Sequence, residues 1–564
     1  LKNKPRPEVD PRASQTPASS ERLTEDYLRL QRELEELRRS YIALADRHRW
    51  VHAVVNILAA EPTAWWQRWL PWRVWYRTVL RKLGRRGLFD AAQYLVFNPD
   101  VAQFRSGPLA HALLHGLAEE RGGIPAAPEP VAVSALSPAL RDRIVASGLF
   151  DLHWYRSKNP DVSPNLDEAL TSYLKRSSND PLHDPGPLFS GAFYLIENPD
   201  TINMHPLEHY VYYGLAEGRR AFSSSNADEF IKGSAAQRLE QIDAFFDPAK
   251  ETLVLHWAEG NFFFTDIAAY LADYLARRGY KARRLTDDSA LMQEDHNLLV
   301  VAPHEYCIHG PGKDWPAERL ARAVYFNTEQ WHTSWFSLAL GVMLRSRMAI
   351  DINPASARGL RRLGIRASFV PLLPFESSVF AVETAPLSKQ TTARRYVKAL
   401  TWPQNYDERP YEILFIGALN PRREAILAKL APVLARYDAF IHSPRLSGPA
   451  NSTNGNTLPK HDVAQLARNA KILLNIHQGE SHYFEWHRLF VSGICEGCVV
   501  LTEPCIDTGI LTSGVHYLEC AAAAMPEMLN HLLTTAEGRA RLAEVRANCE
   551  ALLASITAHG EILS

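Results

Sequence analysis

Residues 474–490 read LNIHQGESHYFEWHRLF, placing three histidines, two glutamates and one arginine within seventeen positions. Three chemistries suit such a group: metal ligation, proton transfer, or the holding of a charged substrate. His477, His482 and His487 recur every five residues, whereas ligands stacked on one helix face need the four-residue interval of His-Glu-x-x-His. Metal is therefore the weakest of the three, and no metal is expected. Glu485 and Arg488 are three apart, which puts both on one face of an opening helix. The carboxylate there can accept two ribose hydroxyls while the guanidinium reaches a diphosphate. A plain ion pair predicts the same spacing.

A second group lies in FIGALNPRRE, where Gly417 ends a strand and Arg422 and Arg423 begin a helix. Guanidinium groups and the amide end of a helix can converge there on one phosphate. The competing reading is a solvated helix start. A general base must come from upstream, and each candidate follows an apolar strand: His304 or Glu305 in VVAPHEYC, Glu329 in YFNTEQW, Glu259 in HWAEGNFFF. The preferred order is His304, Glu329, Glu259. A carboxylate in this role works best with its pKa raised towards neutrality by burial. Cys495 and Cys498 in CEGC have no second pair at zinc spacing and read as packed thiols.

The elements that carry these groups alternate strand and helix. TLVLHW, KARRL, NLLVVA, AVYFN, RMAIDI and SFVPLL form one series; EILFIGAL, AFIHS, KILLNI, GCVVLTE and VHYLE form another. Such alternation predicts an α/β chain with two Rossmann-like doubly wound domains, over 245–400 and 405–564, binding ligands beyond the strand C-termini.

Upstream the pattern differs. Residues 1–20 are rich in Pro, Ser and Lys and read as a disordered linker. From Leu23 to Leu58, large or apolar residues fall four and three apart without a break. That predicts a coiled-coil oligomerisation helix over 21–60, or else a long helix packed on its own chain. Residues 61–86 interleave Trp65, Trp66, Trp69, Trp72 and Trp75 with arginines. An amphipathic segment on a membrane surface is expected, with packing against the next domain as the alternative. Residues 87–223 hold an α-helical repeat domain of three units, in which Phe89, Phe150 and Phe189 each stand nine residues before an Asn-Pro-Asp turn.

The repeats resemble the short NPDV modules attached to bacterial polysaccharide glycosyltransferases, as spacer, docking surface or glycan-binding element. The following half resembles GT-B glycosyltransferases of the bacterial surface-polysaccharide type. Asn327-Thr328-Glu329-Gln330, Gly417 with Arg422-Arg423, Asn475 and His477, Glu485 and Arg488, and Gly497, Thr502 and Glu503 match that branch in order and spacing. The resemblance implies a nucleotide-sugar donor held by Gly417, Arg422, Arg423, Asn475, His477, Glu485, Arg488, Thr502 and Glu503. It also implies a glycan or lipid-linked acceptor on the N-terminal side of the cleft. The Glu-seven-Glu pattern of the broad retaining group would need glutamates at Phe484 and Ser492, so retention or inversion stays open.

The totals agree with this reading. The 564 residues are 46% hydrophobic and 22% charged with a formal net charge of -1, which lacks the basicity nucleic-acid binding needs. Six cysteines are too few for a disulfide framework. A cytoplasmic enzyme is expected, peripheral on the inner membrane face, with nucleotide sugar as substrate and no cofactor. The rival readings are a catalytically silent scaffold of a polysaccharide-assembly complex and a nucleotide-sugar epimerase or phosphorylase on the same fold.

Overall fold

The computed structural model describes residues 89–122, 136–374, 405–445 and 457–559, apart from 105, 120, 179, 181, 202, 203 and 293, together with Trp50, Val51, Val54, Leu80, Arg81, Leu83 and Gly84. The linker 1–20 lies outside these residues, as does nearly all of the heptad segment 21–60 and of the tryptophan segment 61–86. The chain divides into two compact units. One holds the described residues of Leu1–Ser134 with Leu174–His183 and Gly191–Pro206; the other holds Ala135–Tyr173, Asp184–Ser190 and the described residues of Leu207–Ser564.

Each Asn-Pro-Asp turn follows a seven-residue helix: Ala91–Phe97, Leu152–Lys158 and Gly191–Glu197. Asp90 and Asp151 cap the first two by accepting backbone amides of the opening turn. The turn asparagine closes each helix. Asn98, Asn159 and Asn198 donate from Nδ2 to the carbonyl of Tyr94, Tyr155 and Tyr194, at 3.0, 2.9 and 2.9 Å. All three tyrosines are buried. The motif thus spends its asparagine on an orphan helix carbonyl and its proline on stopping the helix.

The second unit contains both sheets. The first sheet runs in the order β2-β1-β3-β4-β5-β6, with β1 Thr252–Leu255, β2 Ala282–Leu285, β3 Asn297–Val301, β4 Val324–Asn327, β5 Met348–Asp351 and β6 Arg366–Phe369, all parallel. The second runs β11-β10-β9-β7-β8, with β7 Tyr411–Ile416, β8 Ala439–His442, β9 Ala470–Leu474, β10 Val499–Thr502 and β11 Leu518–Glu519, also parallel. The helices used below are α1 Ser224–Lys232, α2 Phe262–Arg277, α3 Ser334–Ser346, α4 Pro354–Arg362, α5 Pro421–Leu434, α6 Lys460–Arg468, α7 Met525–Thr534 and α8 Ala536–His559.

Central strands β1, β4 and β10 are buried along their whole length, as parallel strands covered on both faces must be. Edge strand β2 instead exposes Arg283 and Arg284, charges that discourage a further strand from adding there. The sequence places the last strand of the first sheet at SFVPLL, but β6 begins two residues earlier at Arg366. It must do so to register with Met348–Asp351 of β5.

In each sheet the chain leaves its first strand towards one edge and returns to the other side of that strand. The order therefore reverses between β1 and β3 in the first sheet, and between β7 and β9 in the second. Loops that leave such a pair of strands diverge and open a crevice at their C-terminal ends. The residues that follow β1 and β3 are Trp257–Asn261 and Ala302–Glu305; those that follow β7 and β9 are Gly417–Arg423 and Asn475–His477.

Candidate active site

At the second sheet's crevice, three arginines gather around two carboxylates. Arg488 Nη2 lies 2.6 Å from Glu485 Oε1 and also donates to Asn475 Oδ1. Arg423 Nη2 lies 3.7 Å from the same Glu485 oxygen. The rest of the Arg423 guanidinium is fixed by backbone, Nε to Ile476 O at 2.9 Å and Nη1 to Ala418 O at 3.0 Å. Arg422 pairs with both oxygens of Glu503 at 2.8 and 2.6 Å, and Glu503 also accepts the His477 amide at 2.7 Å. Asn475 completes the floor by donating to Thr502 Oγ1 at 2.8 Å.

Gly417 makes this density of charge sterically feasible. A Cβ on it would stand 2.9 Å from Arg488 Nη1 and 3.3 Å from Arg423 Nη1, so a larger residue there would push both guanidinium tips off the strand end. Three guanidinium groups face two carboxylates here, leaving one positive charge unmatched. Arg423 shows the strain of that excess: burial, then the like charge of Arg488, pull its pKa down to about 10. Burial works to raise Glu485, yet Arg488 and Arg423 prevail and hold its carboxyl below the ordinary range. At neutral pH Glu485, Glu503, Arg422 and Arg423 are therefore charged.

The helix end contributes less than its position promises. Asn420 caps α5 by accepting the Arg423 amide at 2.8 Å, and Pro421 has no N–H. The positive field is carried by side chains more than by free amides. Glu485 and Arg488 also differ from the expected α-helical start: Glu485 precedes a π-helical turn, Trp486–Val491. The ion pair that competes with a ligand role for them is present. Only Oε1 of Glu485 takes part in it, and Arg488 Nε is buried with no hydrogen-bond partner among the described residues.

The first sheet's crevice has the opposite character. Ala302 directly follows β3 with φ 52° and ψ 69°, a left-handed conformation costly for a residue with a Cβ. It turns Pro303–Tyr306 back over the sheet. His304, 2% exposed, brings Nε2 to 3.5 Å from Glu329 Oε1. Burial, with Glu305 and Glu485 adding repulsion, pushes the Glu329 carboxyl up to about 7. Burial also pulls His304 down to about 3, so the imidazole is neutral. Asn327 fixes the Glu329 backbone, donating to its carbonyl at 3.2 Å and accepting its amide at 3.3 Å, and Asp351 anchors Asn327 at 2.8 Å.

Glu259 is exposed in the turn after β1, while its neighbours do the positioning. Asn261 donates to both oxygens of Glu305, and a side chain on Gly260 would overlap that carboxylate. Behind the turn, buried Asp288 gathers Tyr306, Trp315 and Arg319. These supports are invisible to spacing arguments, although the glycine directly after Glu259 was a readable sign of close approach.

The histidine-rich segment joins the two crevices. His482 Nδ1 lies 2.9 Å from Asp228 Oδ2 on α1, and Ser481 Oγ donates to Asp228 Oδ1 at 3.2 Å. Tyr483 donates to Thr328 O at 3.2 Å, and Trp486 Nε1 to Asn353 Oδ1 at 2.9 Å. His487 Nε2 approaches Asp266 Oδ2 on α2 at 3.6 Å, with Lys460 of α6 on the other oxygen. His477 instead turns its Nε2 to Pro504 O at 3.0 Å. The three histidines thus face three separate partners. Among the described residues, no three His, Cys, Asp or Glu side chains converge to hold a metal ion.

No family model matches the chain, and no curated protein matches it. Among solved structures it is similar in part to HepE of Anabaena in complex with UDP, at 11% identity and TM-score 0.32, over 54% of this chain and 95% of that one. It is likewise similar to an α1,3-fucosyltransferase with GDP-fucose, at 10% identity and TM-score 0.29, over 59% of this chain and 97% of that one. Likeness this low carries no argument about function, which rests on the geometry.

Proposed function

We propose that the chain is a GT-B glycosyltransferase that moves a sugar from a nucleoside diphosphate donor to a bacterial surface polysaccharide or lipid-linked glycan acceptor. The observation that carries this reading is the opposition of two crevices within one unit. An arginine cluster with one unmatched positive charge stands at one, and a carboxyl poised near neutrality at the other. Tyr483 spans from one to the other, and the charge of Glu485 is felt at Glu329.

In this mechanism the donor diphosphate lies against Arg422, Arg423 and Arg488, whose preorganised charge stabilises the leaving group as the sugar–phosphate bond breaks. Glu485 Oε2 takes the ribose hydroxyls. Glu329 accepts the proton of the acceptor hydroxyl as its oxygen forms the new bond to the anomeric carbon, beside the neutral ring of His304. The acceptor oxygen, as Glu329 takes its proton, displaces the nucleoside diphosphate from the opposite face, so the product is inverted. The guanidinium groups offset part of the diphosphate charge, and in this reading EDTA leaves turnover unchanged.

Residues 21–60 join copies of the chain in this reading, and residues 61–86 bring it to the cytoplasmic membrane surface; liposome flotation with and without 61–86 tests the latter. The decisive assay incubates purified protein with UDP- and GDP-sugars and follows nucleotide release and the anomeric configuration of the product. Release that disappears in Glu329→Gln while nucleotide still binds supports the transferase. Nucleotide binding with no turnover of any donor supports the scaffold instead.

A further inference from the structure

The mechanism leaves one prominent residue unused. Trp335, in the first turn of α3, is 48% exposed, and it is the one tryptophan among the exposed large hydrophobic residues described. Its exposure is built in. Thr333 caps α3 by accepting the Phe336 amide at 3.1 Å, and Phe336 is fully buried, stacked on Trp331 with centroids 4.4 Å apart. The neighbouring position on a helix points about 100° away, so anchoring Phe336 turns Trp335 outward.

It is turned out beside the reacting groups. The indole lies 5.8 Å, centroid to centroid, from the ring of His304, whose Nε2 is 3.5 Å from Glu329. His309 meets the indole edge-on at 6.1 Å. A half-exposed, electron-rich ring face with the exposed His309 imidazole at its edge suits a ligand that has one apolar face and a polar perimeter. A pyranose is such a ligand: its axial C–H groups present a weakly positive face to the indole while its hydroxyls reach outward.

We infer that Trp335 is the stacking platform for the acceptor, carrying a hexopyranose ring beside His304 and Glu329. The side of the crevice decides between acceptor and donor. The arginines that suit a diphosphate belong to the second sheet, whereas Trp335, His304 and Glu329 all follow strands of the first. The inference rests on the glycosyltransferase reading for the word acceptor, but sugar binding at Trp335 can be measured without it.

Saturation-transfer NMR on the full chain provides the test, with methyl glycosides of glucose, galactose, mannose and N-acetylglucosamine as probes and UDP and GDP as controls. At least one glycoside should receive saturation at its axial ring protons from the wild type. That signal should fall at least fivefold in Trp335→Ala and persist in Trp335→Phe, with nucleotide signals unchanged in both variants. No transfer to any glycoside from the wild type overturns the platform, as does an equal signal in Trp335→Ala. Trp335-dependent glycoside binding without UDP or GDP binding leaves the platform standing and removes the donor reading. Nucleotide binding with Trp335-independent glycoside binding does the reverse.

Discussion

The two crevices arise from the same topological device and end in opposite electrostatics. After β7 and β9 the loops deliver arginines and keep carboxylates ionised; after β3 and β4 they deliver buried carboxyl and imidazole groups and keep them close to neutral. Burial acts on both. At the second sheet's crevice Glu485 and Glu503 each have a guanidinium within 4 Å, and pairing outweighs desolvation for both, while burial and the like charge of Arg488 lower Arg423. On the first sheet the nearest charges to Glu329 are other carboxylates, so burial and repulsion push the same way. A reaction that expels an anion and removes a proton needs both environments, and a cleft between two sheets can keep them separate.

The largest effect expected from breaking this division is on turnover. Glu329→Gln should lower the transfer rate by about 100- to 10,000-fold, the range of a lost general base, with nucleotide affinity unchanged; steady-state kinetics with bound-nucleotide controls reads both. Next in size, Arg488→Ala should weaken nucleoside diphosphate binding by about 100-fold, since it removes a charge-assisted contact and leaves Glu485 facing Arg423 alone. Gly417→Ala should weaken binding less, by about tenfold, by pushing the same two guanidinium groups off the strand end while keeping their charge.

A pH comparison sharpens the contrast. The folded Glu329 carboxyl is raised from 4.5 to about 7, so transfer should rise with pH through about 7 as the base loses its proton. For stability the sign is the reverse. The folded state holds that proton more tightly than the unfolded chain, so its contribution is complete below about 4.5 and is lost as pH rises through about 7. Asp351, buried and also raised to about 7, acts in the same direction. The melting temperature of wild type relative to Glu329→Gln should therefore fall between those pH values, which isolates Glu329. The smallest effect is expected in the histidine-rich segment: His482→Ala removes the imidazole contact to Asp228 but keeps the Ser481 hydroxyl and the residue-482 amide on it, and should change turnover only a few-fold and leave nucleotide binding near wild type.

Much of the scaffold was legible because local pattern determines it. Apolar runs mark the strands of both sheets, and the rule that ligands lie beyond strand C-termini brings His304, Glu329, Gly417 and Asn475 to the crevices from sequence. The Asn-Pro-Asp units announced three turns, though the asparagine's bond to the tyrosine carbonyl four residues back is a side-chain geometry that spacing does not express. What stayed hidden depends on distant pairing. His482 and His487 had no assigned role because their partners, Asp228 and Asp266, stand more than two hundred residues earlier in the chain. The choice among His304, Glu305, Glu329 and Glu259 turns on burial, and the left-handed Ala302 carries no mark in its residue type.

Calorimetric titration of UDP and GDP into the wild type, Arg488→Ala and Glu329→Gln tests the central claim, that one crevice holds the diphosphate and the other the base. Binding of a nucleoside diphosphate to wild type and Glu329→Gln alike, with affinity about 100-fold weaker in Arg488→Ala, is the result predicted. Equal affinity in wild type and Arg488→Ala, or no binding by the wild type, would contradict it.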